Sequence, residues 1–308
     1  MGQAVKKLGL LLILTLAVTT PMAWAAEQQS SDFYTQVSLG LIPGYSTCYV
    51  YGNNAAVGAT RETIWPRGGF IAIQSSATVV KISSGDADDA AGDTGARTLF
   101  VGGLDANYLE INETVTMNGQ TAVNTTKSYL RVLDLEVLTA GSSGWNEGII
   151  YAGVGAVILG VPATVYNVIE ATVGHDLTCF TTVPAGHTGL VMSYYYTSGT
   201  TKDVIFMVMM RSPGGSAWIG RDRINMYQAE HWATMNPPYT VPEKWDIMLT
   251  AEAAVSTTAS GGFVIMFVED SVVSAGVTSE TAMDPMGFIL LVAVVFVALG
   301  AVALWRRR

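Results

Sequence analysis

Asp86, Asp88, Asp89 and Asp93 place four carboxylates in one polar, glycine-containing loop that runs to Gly95. A hard cation such as Ca²⁺ takes several carboxylate and carbonyl oxygens from a flexible loop, so these four aspartates are the candidate calcium ligands. Their D-x-D-D-x-x-x-D spacing lacks the glycine and closing glutamate of an EF-hand. A solvated hairpin loop therefore stands beside the metal reading, and no cofactor other than calcium is expected. A second loop, 139–147, carries Ser142, Trp145 and Glu147. Asp86, Asp93, Ser142, Trp145 and Glu147 are the candidate binding residues, at the tips of the two loops.

Other chemistry is sparse, and no enzyme is expected. His175, His187 and His231 are far apart in sequence, and none has metal-ligand spacing. Gly153-Val154-Gly155 resembles the start of a dinucleotide loop, but the third glycine comes at Gly160 and no strand–helix–strand context surrounds it. There is no Gly-x-Ser-x-Gly elbow. Paired carboxylates of a glycosidase cannot be told from surface charge by sequence, which leaves an exported glycan-acting enzyme as the minor alternative. Cys48 and Cys179 form an even pair. They read as a disulfide, with two buried free thiols as the other reading.

The elements that must position these residues read as β. Short runs such as ATVVKI (77–82), RTLFVGG (97–103), YLRVLDLEVL (129–138), DVIFMVMMR (203–211) and GFVIMFVED (262–270) alternate with turn-forming clusters. Asn118-Gly119 is a tight hairpin signal, and Pro213-Gly214-Gly215 is a turn. The expected fold is all-β, two tandem β-sandwich-like domains at 69–152 and 177–270 with one C-terminal transmembrane helix. An arm (26–68) precedes them, a linker (153–176) joins them, and a stalk (271–284) follows. Trp65 and Trp218 are expected to anchor packing.

The termini carry targeting signals. Lys6 and Lys7, an apolar core and Ala23-Trp24-Ala25 read as a signal peptide over 1–25. The apolar run at 285–305, followed by Arg306, Arg307 and Arg308, reads as a single membrane span with a cytoplasmic tail at 306–308. An exported single-pass protein with its N-terminus outside, in a virion or host cell membrane, is the expected location. Between the two signals, eleven basic residues face 25 acidic ones, a balance of −14. Such a surface repels phosphate, so no nucleic acid is expected as a partner.

Several ordered segments resemble virion structural proteins of tailed phages and other, often marine, viruses. They are YGNN (51–54), ETIW (62–65) with Gly68-Gly69, and residues 83–150 with their GARTL, GLDANY, ETVTMNG and LTAGSSG runs. VPAGHTG (183–189), residues 200–218 and VPEKWDI (241–247) continue the likeness, which covers roughly 42–270. The resemblance implies a non-enzymatic, β-rich building block of a virus particle and supplies no catalytic residue. A signal peptide and membrane anchor depart from that pattern and point to a spike or host-attachment element. The expected partners are the membrane, a host surface receptor or other virion proteins, and further copies of the chain. A cellular surface protein, an adhesin or envelope-coat component, is the alternative.

Overall fold

The computed structural model describes residues 32–199, 203–227 and 229–278. The chain divides into a small unit ending at Thr47 and a large one beginning at Cys48. In the small unit, helix α1 (Phe33–Ser38) carries Phe33, whose ring meets those of Tyr34 and Tyr45 edge-on.

Among the described residues sixteen strands follow, and alternation builds them. They begin with β1 (Tyr45–Val57), β2 (Glu62–Thr63), β3 (Thr78–Ser84), β4 (Ala96–Leu104) and β5 (Glu110–Thr116). Next come β6 (Val123–Tyr129), β7 (Arg131–Ala140), β8 (Ile150–Ile158), β9 (Val161–Ile169) and β10 (Phe180–Thr182). The last are β11 (His187–Ser198), β12 (Asp203–Arg211), β13 (Ile219–Tyr227), β14 (Glu230–Val241), β15 (Asp246–Ala253) and β16 (Thr257–Glu269). In β12, Val204, Phe206, Val208 and Met210 are buried and the residues between them are not, the period-2 signature of a strand. In β11 a bulge between Val191 and Ser193 resets the register and turns Tyr194 and Tyr196 inward. Helix α2 (Asp270–Thr278) follows β16 directly.

The strands form four sheets, the blade count of a small propeller. The first is ordered β1-β16-β11-β14, and the second β10-β15-β12-β13 with β2 also on β15. The third is β6-β3-β8-β9 and the fourth β5-β4-β7. Buried side chains link them in pairs. Tyr194, Tyr196 and Phe263 of the first sheet share a core with Phe206 and Leu249 of the second. Ile82, Tyr129 and Ile150 of the third share one with Leu99 and Leu135 of the fourth. A third cluster, with Trp65, Ile71, Tyr151, Phe180 and Met248, joins the two pairs.

This layout corrects the expected tandem arrangement. β1 pairs with β16 and β2 with β15, so the chain's first strands complete sheets made from its last. The segment between β2 and β10 forms the other two sheets. β2 and β10 lie end to end on one edge of β15, where Thr63 faces Thr250 and Phe180 faces Met248. Residues read as a linker instead form the β8–β9 hairpin, with Leu159 and Gly160 turning at φ of 49° and 79°. Asn118-Gly119 makes no hairpin: β5 and β6 belong to different sheets, and Gly119 packs against the Asp86–Asp89 loop, donating to the Asp89 carbonyl at 2.8 Å.

Among the described residues, no helix is long and apolar enough to cross a membrane. The single-pass placement is therefore withdrawn. The signal peptide (1–25), the apolar run at 285–305 and the basic tail lie outside the described residues.

Trp65 is buried, and its indole donates to the carbonyls of Gly68 and Gly69 at 2.9 and 3.1 Å. Trp218 is half-buried, under the Arg211 guanidinium at 4.7 Å.

Candidate functional site

The two loops singled out from sequence meet at one place. Gly141 donates to Gly95 O at 2.8 Å, and Ser143 donates to Thr94 O through both its backbone N–H and its hydroxyl. Thr94 Oγ1 donates to Glu147 Oε1 at 2.6 Å. Beneath them lies Asp89, fully buried. Its carboxylate accepts from Ser84 Oγ (2.5 Å), Ala96 N (2.7 Å), Glu147 N (2.8 Å) and Gly148 N (2.9 Å). One carboxylate thus ties the start of β4, the end of β3 and the 141–148 loop together. A glycine is required at 148, because a Cβ there would press on Asp86 and Ser84.

This geometry divides the four expected calcium ligands. Asp89 has its oxygens engaged by backbone and hydroxyl donors and is a structural anchor rather than a ligand. Asp93 presents its main-chain carbonyl to Arg97 Nε and Nη2 at 3.0 and 2.9 Å, and its carboxylate stands outside the close group. Asp86 and Asp88 remain and are joined by Glu147, the three carboxylates having oxygens within 4.8 Å of one another. Asp86 Oδ1 also accepts from Asp88 N at 3.0 Å. The Asp88 carboxyl is held above its ordinary range, by desolvation first and then by Asp86, Glu147, Asp93 and Asp89. Each of the three offers an oxygen to a hard cation, which would relieve that repulsion. Trp145 stands half exposed on the neighbouring loop, at 51%. Ser142 sits in the same turn.

A second titratable group was not visible in the sequence. His175 Nε2 lies 3.4 Å from Asp134 Oδ1 and 3.9 Å from Asp176 Oδ1. The imidazole is pushed up to about 9, first by the Asp134 carboxylate 3.4 Å away, against desolvation, with Asp176 adding attraction. Asp176 is buried and is also raised, to about 6, by desolvation, although Leu135 N and Asn167 Nδ2 donate to it. His175 and Asp176 are adjacent, but Asp134 is forty-one residues earlier. An isolated bridge between Glu136 and His175 brings them together, which no spacing rule anticipates.

Cys48 and Cys179 are free thiols, so the expected bridge is not formed. Both are held up as acids, chiefly by desolvation, Cys48 to about 11. Cys179 is wholly buried and packs in the core of the first two sheets, with its thiol directed at Val50 O at 3.8 Å. The hydrophobic role open to a free cysteine is the one adopted.

No family model matches the chain, and no curated protein matches it. Solved structures weakly similar to the chain include two of one virus. A chain from infectious bursal disease virus, Gt strain, is 8% identical over 79% of this chain and 78% of that one, with a TM-score of 0.22. A chain from the Gx strain of the same virus is 8% identical over 73% and 71%, with a TM-score of 0.21. These scores fall short of a shared fold.

Proposed function

We propose that the protein works by contact rather than catalysis, as a virion structural protein whose paired 86–95 and 139–147 loops form an attachment tip. The observation that carries this reading is the convergence of both loops on the buried Asp89 carboxylate. Four donors hold that carboxylate, so the tip is rigid before anything binds, and less entropy is lost on binding. The tip combines an exposed indole with a close acidic cluster. An aromatic anchor within a polar rim is the usual composition of a contact surface. The resemblance of residues 83–150 to virion structural proteins supports the viral part of the reading. The partner is a host surface receptor or a neighbouring virion protein, met by many copies so that weak contacts multiply.

The test is competition. Purified protein should reduce attachment of particles to host cells, and Trp145→Ala and Glu147→Gln should each weaken that effect while leaving the melting temperature unchanged. A protein that never competes, while particles without it attach normally, removes the attachment role. If it is nevertheless abundant in purified particles, a coat role is what remains.

A further inference from the structure

A cavity of about 470 Å³ opens where the two sheet pairs meet. Its walls come from three turns: residues 73–77, the 106–108 turn before β5, and Gly214-Gly215 between β12 and β13. Cavities of this size at the junction of packed units are the usual setting for small ligands.

Its charge is opposite to that of the chain. Arg131 and Arg211 line it, and among the described residues no carboxylate does. Both guanidiniums are held from behind by one acid, Asp246, itself 1% exposed. Arg131 Nε and Nη2 reach Asp246 at 3.0 and 3.1 Å, and Arg211 Nε and Nη2 reach it at 3.2 and 2.6 Å. Thr182 Oγ1 adds a donor at 2.6 Å. Two cations on one carboxylate leave a net charge of +1 at a site largely withdrawn from water, where an unbalanced charge is costly.

The two arginines differ in what they have left to give. Arg131 also spends Nη1 on the carbonyls of Gln74 and Leu130, at 2.9 and 2.8 Å. Arg211 Nη1 makes no hydrogen bond among the described residues, while Trp218 fixes the guanidinium plane from one side. Tyr108 forms another wall, its ring near the Arg131 guanidinium at 5.9 Å. Its φ is 63°, a value that bulky residues adopt only where the surroundings impose it. A backbone bond from Tyr108 N to Asp105 O (3.0 Å) and one from Ala185 N to Tyr108 O (2.9 Å) impose it here.

We infer that this cavity binds a carboxylate-bearing small ligand through the free edge of Arg211, with Tyr108 and the Gln74–Ser76 segment packed against its body. The guanidinium fork matches a planar carboxylate. A monoanion balances the single net charge, whereas the dianionic form of phosphate overshoots it, and the guanidinium fork fits a planar carboxylate better than a tetrahedral anion.

Calorimetric titration of the full-length protein tests this. The probes are glucuronate, N-acetylglutamate amide, glucose and inorganic phosphate. Glucuronate or N-acetylglutamate amide should bind and glucose should not, and whichever acid binds tighter identifies the source as an acidic sugar or an acidic side chain. Arg211→Gln should weaken binding about tenfold or more. Ser76→Glu, on an exposed wall residue outside the ion network, should do the same with no change in melting temperature. Glucose binding as well as glucuronate, phosphate binding tighter than both acids, no acid binding at all, or unaltered binding by Ser76→Glu each overturns the assignment.

Discussion

Asp89 and His175 show how differently two titratable side chains serve this protein. Replacing Asp89 by alanine strands the N–H groups of Ala96, Glu147 and Gly148 and the Ser84 hydroxyl in a buried place. Each orphan costs about 1–3 kcal/mol, so losing four partners at once makes Asp89→Ala cost at least about 4 kcal/mol, with thermal unfolding as the measure. Asp88→Ala, a few ångströms away and exposed, should change the melting temperature little. His175 acts through pH. Its folded pKa is raised to about 9 from an ordinary 6.5, so the folded state holds the proton more tightly than the unfolded chain. That stabilisation is full below pH 6.5 and is lost as pH rises through 9. The raised Asp176 works in the same direction between about pH 4 and 6, the folded state again keeping the extra proton. Melting temperature should therefore fall from pH 6.5 to 9, and His175→Gln should flatten the fall. An NMR titration of His175 with a midpoint near 6.5 would contradict this account.

At the scale of elements, the strand-rich character is plain in the sequence, because Val204, Phe206, Val208 and Met210 alternate with less buried residues as a strand requires. Partner choice is not plain. Nothing local in β1 names β16 as its neighbour, and a hairpin signal such as Asn118-Gly119 is overridden when its flanking strands join different sheets. Leu159 stands where a left-handed turn favours Asn, Asp or Gly, so the β8–β9 hairpin reads as loose chain despite Gly160. The loops were legible as loops, and the acidic cluster in part. Glu147 joins it only because Asp89 holds the two segments together. The ion network between β7, β12 and β15 was wholly hidden, since Arg131, Arg211 and Asp246 are far apart in sequence. Asp246→Ala leaves the buried Arg131 guanidinium and the half-buried Arg211 guanidinium side by side without an acid. The loss should be about 3–5 kcal/mol, measured by denaturant unfolding. Asp246→Asn, which keeps acceptor and shape, should recover part of it.

For the whole molecule, the nesting of one sheet pair within the sequence of the other sets which fragments stand alone. Residues 75–176 carry all strands of the third and fourth sheets and their shared core. A 75–176 fragment should melt cooperatively. Residues 177–270 lack β1 and β2, and with them Val50, Val57 and Ile64 of the first core. That fragment should stay unfolded or aggregate, and adding residues 45–64 as a separate peptide should rescue it. Circular dichroism with thermal melts decides the matter, and a cooperative melt for 177–270 alone would mean that β1 and β2 are dispensable. The pairing of β1 with β16 also bears on how the chain is made. A ribosome releases β1 about two hundred residues before β16, and contacts so distant in sequence form late. Throughout that interval β1 has an open hydrogen-bonding edge and exposed valines, the form in which nascent chains stick to one another. Chaperone demand during synthesis, and loss of yield when the chain is stopped short of Glu269, both follow from where its first strand finds its neighbour.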